Sequence, residues 1–527
     1  MKQPGPFLLV ILDGFGISLE TEGNPVALAK TPALDLIERF FPFTTLQASG
    51  TAVGLPWGEP GNSEVGHLTM GAGRTIYHHL PRIITSIRDE SFYRNEILLK
   101  AVEHIRAQGS RLHIAGLMSS GSVHSYIDNV WALVEFAHRQ NLPHVFLHVF
   151  TDGKDAPPKE GAKFLAELEL RLHKEYPEAQ FATVIGRSFA LDRDRHWDRI
   201  QAAYELLTEG KRESISSISQ YLEASYEQGI TDEFIKPATI RDTESQPVGL
   251  VQENDALIFS DFREDSMREL TRAFADPLFN EFPRRMIPNL MVLTMTEYEK
   301  GIPASPLFPS LDVAWPLSQV LGHEDKKHLH LAESQKYAHV TYFFNGGVEE
   351  PFPGEQRIVI PSLPNSHFDR VPEMKAEEIT SAILTNLDSF DVIIANYANA
   401  DMVGHSGNLQ ASVRAVETLN DALGALMNAT LNHEGIMVVT ADHGNIELKR
   451  HPITGEKLTE HSTNPVPLYL IGNSFRRKNP KNDKEVIQQK KGATGILSDV
   501  APTILELLNL PKPREMTGRS LLSHLLS

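Results

Sequence analysis

Short runs of apolar and β-branched residues recur along the chain, separated by longer segments whose apolar positions follow helical spacing. FLLVIL (7–12), DVIIANY (391–397) and GIMVVT (435–440) form one set, and an aspartate follows each within a few residues: Asp13, Asp401 and Asp442. RLHIAGLM (111–118), HVFLHVF (144–150), FATVIG (181–186), DALIFS (255–260) and LMVLTM (290–295) form a second set in the middle. Runs this apolar predict strands buried on both faces, as in a parallel sheet covered by helices. Segments such as 159–173 and 195–207 carry the helical spacing that crossovers need. The expected class is α/β, and two separate strand series predict two sheets in two domains. The seams fall near residues 77 and 310, where GIPASPLFPS (301–310) is rich in Pro and Ser. Residues 1–77 and 310–527 then build one discontinuous domain, with 78–309 inserted as a second. Periodicity alone leaves open two or three domains in simple sequence order.

Composition narrows the class of function. With 527 residues, 41% hydrophobic and 22% charged, the chain reads as a soluble globular enzyme with ample core. A formal net charge of −18 argues against nucleic acid as the partner, while a local arginine cluster can still hold a small anion. The chain has no cysteine, which removes disulfides, thiolate metal sites and a cysteine nucleophile. The apolar run 7–12 is too short for a signal or a membrane span, so a cytoplasmic enzyme with no membrane partner is expected. The basic run KNPKNDKEVIQQKK (478–491) reads as a solvated loop and helix face.

Candidate chemistry gathers where strands end. Ligands of open α/β sheets bind beyond the carboxyl ends of the strands. Asp401 and His405 are four residues apart, which on a helix puts both side chains on one face. Asp442 and His443 follow a strand, and His461 lies in EHSTNPVP, stiffened by two prolines. Mixed Asp/His sets suit Mn²⁺ or Zn²⁺, and Co²⁺ or Mg²⁺ less clearly. Singly, each residue also suits an ordinary cap, turn or loop role. Ser63, in PGNSEVGHLTMGAGR (60–74), poses the same choice. A hydrolase elbow reads G-x-S-x-G, and Val65 breaks that pattern. The local string leaves turn residue and nucleophile both open.

Taken together, LDGFG (12–16), GNSEVGHLTMGAGR (61–74), ESQKYAHVTYFFNGG (333–347), NYANADMVGH (396–405), TADHGN (440–445) and HSTNPVP (461–467) resemble the motif series of cofactor-independent phosphoglycerate mutases. That family belongs to the alkaline phosphatase superfamily, and the resemblance runs in order along nearly the whole chain. It implies an alkaline-phosphatase-like parallel-sheet sandwich domain with a second α/β phosphotransferase domain inserted. It implies interconversion of 3-phosphoglycerate and 2-phosphoglycerate in glycolysis and gluconeogenesis, without bisphosphoglycerate. Ser63 resembles the serine that is transiently phosphorylated. Asp13, Ser63, Asp442 and His443 match the ligands of one metal ion, and Asp401, His405 and His461 those of a second, most often manganese. Lys336 matches a lysine that steadies the phosphoryl group. His124, Asp155, Arg187, Arg193 and Arg263 match substrate-binding positions, with Asp155 as general base or acid. The expected enzyme is a monomer that binds a small-molecule substrate.

Departures cluster in the inserted domain. Lys154 stands in DGKD where the family usually has Arg, and Ser266 takes the place of a second Arg after DFRED. The loop SSGSVHSY before His124 differs as well, and Leu458 replaces a commoner His. Lys keeps the charge and loses the planar fork, whereas Ser loses both. An altered grip on the glycerate is therefore expected, with Arg268 as a possible substitute for the lost guanidinium. The alternative function is a metal-dependent phosphatase, or a mutase of another small phosphate ester. A metal-binding scaffold without turnover conflicts with the intact nucleophile.

Overall fold

The computed structural model describes residues 5–77, 79–210, 213–309, 313–363, 368–451 and 453–527. The chain forms two compact units, one of Met1–His78 with Asp312–Ser527 and one of His79–Leu311. The seams expected near 77 and 310 border positions 78 and 310–312, which lie outside the described residues.

Among the described residues, the first unit holds an eight-stranded sheet. Its spatial order is Glu355–Ile360, His328–Glu333, Val392–Tyr397, Phe7–Leu12, Ile436–Thr440, Val466–Ile471, Phe43–Gln47 and Gly495–Ile496. The first five strands run parallel, and Val466–Ile471 runs against both of its neighbours. Phe7–Leu12 lies in the middle because all six of its residues are apolar, and all six are buried. This order decides where chemistry can occur. The carboxyl ends of these five adjacent parallel strands share one edge, and the reversed strand brings its amino end to that same edge.

Among the described residues the second unit also holds eight strands. They are ordered Ser305–Phe308, Met291–Thr296, Ala256–Phe259, Leu112–Leu117, Val145–Thr151, Ala179–Gly186, Ala238–Ile240 and Glu213–Ile215. The first six are parallel, and Ala238–Ile240 turns antiparallel to Ala179–Gly186. Alternation places Ile114, Leu147 and Val149 in one apolar layer and Ala115, Phe150 and Leu257 in the other. Some of the buried polar side chains in these strands bond each other. His113 Nε2 lies 3.0 Å from Asp255 Oδ2, and its Nδ1 lies 3.0 Å from His148 Nε2. His148 Nδ1 then reaches Thr183 Oγ1 at 2.9 Å.

All eight apolar runs read from the sequence are strands, within two residues of the expected ends. The basic run holds the helix Asp483–Lys490, capped by Asn482 and Glu485 in a reciprocal box. His328–Glu333, Glu355–Ile360, Phe43–Gln47 and Val466–Ile471 lie outside the expected runs. Among the described residues, no helix is long and apolar enough to cross a membrane.

Candidate active site

In the first unit the strand order converts distant sequence positions into neighbours. Asp13 follows Phe7–Leu12, Asp401 lies in the short helix Asn399–Gly404 after Val392–Tyr397, and Asp442 follows Ile436–Thr440. Ser63 opens the helix Ser63–Ala72, whose cap Asn62 accepts the Val65 N–H at 3.0 Å. Gly66 in that helix lets the backbone approach closely, since a Cβ there would meet the Asp442 carbonyl oxygen at 2.6 Å. Gly14 has φ +74°, and a Cβ on it would meet the Asp401 Cα at 2.8 Å. Both positions require glycine for these loops to close on each other.

The result is a buried polar cluster around one hydroxyl. Ser63 Oγ lies 3.1 Å from Asp13 Oδ1 and 3.1 Å from His443 Nε2. Lys336 Nζ donates to Ser63 Oγ at 2.7 Å, to Asp13 Oδ1 at 2.6 Å and to Asp401 Oδ2 at 2.7 Å. Burial works against charge on Asp13 and Asp401, yet the Lys336 ammonium holds both carboxyls well below the usual range. Burial also opposes a charge on His443, but the carboxylates of Asp442, Asp13 and Asp401 outweigh it and push its pKa up to about 9. The cluster favours positive charge.

The donor chemistry fits a metal ion. His405 Nδ1 faces the Thr459 carbonyl at 2.9 Å, His461 Nδ1 that of Gly61 at 2.8 Å, and His443 Nδ1 that of Gly444 at 3.3 Å. A carbonyl only accepts, so each Nδ1 carries a proton, and loss of the second proton from a ring leaves its Nε2 lone pair facing inward. The Nε2 atoms of His405 and His461 are 3.2 Å apart, and each is 3.2 Å from Asp401 Oδ1. His443 Nε2 lies 3.9 Å from the same oxygen. Nitrogen and carboxylate atoms that converge in this way form a donor set for a cation, which would take the place of the Nε2 protons. Asp442 Oδ1 accepts from the Gly14 and His443 N–H groups, while its buried Oδ2 has no hydrogen-bond partner among the described residues. Two groups able to hold a metal ion meet here, one of Asp401, His443 and His461 and one of Asp13, His67 and Asp442. A third group, His328, His330 and Glu355, is closed on itself, because Arg357 and Asn345 already bond the Glu355 carboxylate.

The second unit gathers its polar residues in the same way. Arg187 Nη1 donates to Asp152 Oδ1 and Asp155 Oδ2, both at 2.6 Å. Arg193 and Arg263 share the Asp265 carboxylate. His124 is buried 3.6 Å from Asp155 through Nε2, and its Nδ1 lies 2.9 Å from Ser266 Oγ. Burial, joined by the Arg187 and Arg263 guanidiniums, lowers the His124 pKa to about 4, so the ring is neutral. Lys154 is exposed, and its backbone N–H bonds Asp152 Oδ1 at 3.1 Å.

Comparison with known proteins gives this geometry a family. A family profile described as BPG-independent PGAM N-terminus matches residues 83–300. The 2,3-bisphosphoglycerate-independent phosphoglycerate mutase of Moorella thermoacetica is 44% identical, over 98% of each chain. That of Desulforudis audaxviator is 45% identical, over 99% of this chain and 100% of its own. The chain belongs to the 2,3-bisphosphoglycerate-independent phosphoglycerate mutases. A solved structure of Leishmania mexicana phosphoglycerate mutase, obtained at low cobalt concentration, aligns with a TM-score of 0.60 at 30% identity. It covers 98% of this chain and 97% of its own.

Several residues around the mutase's site escaped the sequence reading. Asn396 Nδ2 holds Asp13 Oδ2 at 2.8 Å, and Asn445 Nδ2 holds Asp401 Oδ1 at 2.8 Å. His67 bonds the Ser63 carbonyl through Nδ1 at 2.8 Å and Asn396 Nδ2 through Nε2 at 3.1 Å, so both ring nitrogens are engaged. Asp152 and Asp265 brace the arginines. His67 had a signal, being one helical turn from Ser63; the two asparagines had only their places at strand ends. Arg268 does not take over for a missing arginine. It bonds the Tyr298 carbonyl at 3.3 Å and lies 3.6 Å from Glu299.

Proposed function

We propose that this mutase interconverts 3-phosphoglycerate and 2-phosphoglycerate by passing the phosphoryl group through Ser63. The observation that carries the proposal is the setting of that hydroxyl. It is buried at a helix N-terminus, 2.7 Å from the Lys336 ammonium and 3.1 Å from both Asp13 and His443. Asp13, Ser63, Asp442 and His443 are the proposed holders of one divalent cation, and Asp401, His405 and His461 of a second. Mn²⁺ is proposed for both, with Mg²⁺, Co²⁺ or Zn²⁺ served by the same donors. Bound there, the cations lower the pKa of a serine hydroxyl and neutralise phosphoryl oxygens.

The chain's own groups complete the chemistry. Lys336 places a fixed positive charge beside the oxygen that gains the phosphoryl group. The first N–H groups of the helix Ser63–Ala72, with its dipole, favour the phosphoserine dianion. Arg193 and Arg263 offer planar forks for the carboxylate and phosphate of the substrate. Arg187 fixes Asp155, which passes the proton released by Ser63 to the departing glycerate oxygen and takes one from the other hydroxyl when that oxygen attacks the phosphoserine, for return to Ser63. Lys154 adds charge without a fork. Isomerisation also requires water to be kept from the phosphoserine, or hydrolysis wins.

The test is product analysis with 3-phosphoglycerate and Mn²⁺, following 2-phosphoglycerate and free phosphate together. The isomer without phosphate is expected. Phosphate alone makes the protein a phosphatase and overturns the proposal.

A further inference from the structure

Ser266 is 1% exposed in the first turn of the helix Glu264–Ala275, with its hydroxyl against His124 Nδ1. That hydroxyl has one proton and two acceptors in reach. The Arg263 carbonyl lies 3.4 Å away, at the outer edge of hydrogen-bonding distance. His124 Nδ1 is at 2.9 Å, a full-strength hydrogen bond. We infer that Ser266 is a positioning residue whose hydroxyl donates to His124 Nδ1, fixing the ring proton on Nε2 so that His124 and Asp155 together read a substrate hydroxyl. This deepens the mutase proposal above and rests on it.

The geometry on the far side of the ring supports the assignment. His124 Nε2 and Asp155 Oδ2 are 3.6 Å apart, too far to bond each other directly. An oxygen about 2.8 Å from each fits across that separation. With the proton on Nε2, the pair offers one donor and one acceptor. An alcohol satisfies both, accepting from His124 and donating to Asp155; a carbonyl or ether oxygen satisfies only the first. The pair therefore selects a hydroxyl and orients it with its proton on the Asp155 side. Both members are held rigidly. Arg187 grips Asp155 Oδ2 at 2.6 Å, and the His124 carbonyl accepts the Phe262 and Arg263 N–H groups at 2.9 and 3.3 Å. Those two residues lead directly into the Ser266 helix, so ring and hydroxyl move as one piece. A neutral His124, kept so by burial and two guanidiniums, can hold a defined tautomer at working pH.

A double-mutant cycle on the full chain tests this. Ser266→Ala is expected to lower kcat/KM for 3-phosphoglycerate about tenfold, because the ring is then free to place its proton on the wrong nitrogen. In a His124→Gln background the amide supplies an N–H donor with no tautomer to fix, and Ser266→Ala is expected to cost less than about twofold. Equal losses in both backgrounds mean a packing role and overturn the inference. Spectra of ¹⁵N-histidine-labelled protein give an independent reading if the cycle is too inactive to measure. The His124 signal, assigned by its loss in His124→Gln, is expected to show a protonated Nε2; a protonated Nδ1 overturns the inference. The product assay on the unsubstituted protein separates the two proposals. Absence of 2-phosphoglycerate fails the mutase reading, whereas isomerisation at full rate by Ser266→Ala fails only this one.

Discussion

Lys336 ties together the charges of the first unit's cluster, since its one ammonium bonds both Asp13 and Asp401. Removing it leaves two buried carboxylates facing each other. Lys336→Met is expected to destabilise the metal-free protein by about 3–5 kcal/mol, the usual result of stripping one partner from a buried ion pair. Added Mn²⁺ is expected to restore part of that loss, because it binds only the folded protein. Urea unfolding with and without Mn²⁺ measures both effects, and a deficit unaffected by Mn²⁺ contradicts cation binding beside Asp13 and Asp401. Asn445 acts one shell further out. Asn445→Ala frees Asp401 Oδ1 from its orienting N–H and is expected to weaken Mn²⁺ activation about 10- to 100-fold, read by titrating activity with metal. This contrast explains what was legible residue by residue. Asp13, Asp401 and Asp442 stand out because each follows an apolar run. Asn396 and Asn445 orient other side chains, a task that leaves no mark in composition or spacing, whereas Asp152 shares the mark of the other aspartates, following HVFLHVF by two residues.

Among the elements, the second unit's strands are joined by buried polar side chains. Asp255, His113, His148 and Thr183 form a hydrogen-bonded chain between adjacent strand positions. Burial lowers the pKa of both histidines, with the positive charge of Arg111 adding to the effect, while Asp255 partly offsets it at His113. Their folded values lie below the unfolded value of about 6.5, so the unfolded chain binds more protons below that pH. The stability from these neutral rings is full above about pH 6.5 and is lost as pH falls towards their folded values. His148→Gln is expected to flatten the fall in unfolding free energy between pH 7 and pH 5 by up to about 1.4 kcal/mol per pH unit. Denaturant melts across that range check it, and an unchanged slope contradicts neutral burial of His148. The same chemistry hid one strand of the first unit from the sequence. HLHLAE places His328 and His330 at buried positions, where they bond each other at 3.0 Å. Val466–Ile471 hid for another reason, since a proline at its second position reads as a break. FLLVIL had no such ambiguity.

At the scale of the whole molecule, a chain of net charge −18 acts on an anion, so its positive charge must be local and fixed. Lys336 and the proposed cations provide it in the first unit, and Arg187, Arg193 and Arg263 in the second. Chelation is accordingly expected to abolish isomerisation and lower the unfolding midpoint, and Mn²⁺ to restore both; activity that persists after exhaustive chelation contradicts the metal proposal. What no local reading of sequence could supply was the meeting of the first unit's own residues. Ser63 is indistinguishable from a turn residue until the order of parallel strands brings Asp13 and His443 to it. The decisive measurement is therefore on that serine. The protein is quenched during turnover of 3-phosphoglycerate with Mn²⁺, and its peptides are mapped by mass for phosphate. Phosphate on Ser63, absent from a Ser63→Ala variant that no longer forms 2-phosphoglycerate, is the expected result; a Ser63→Ala protein that isomerises at the full rate contradicts it.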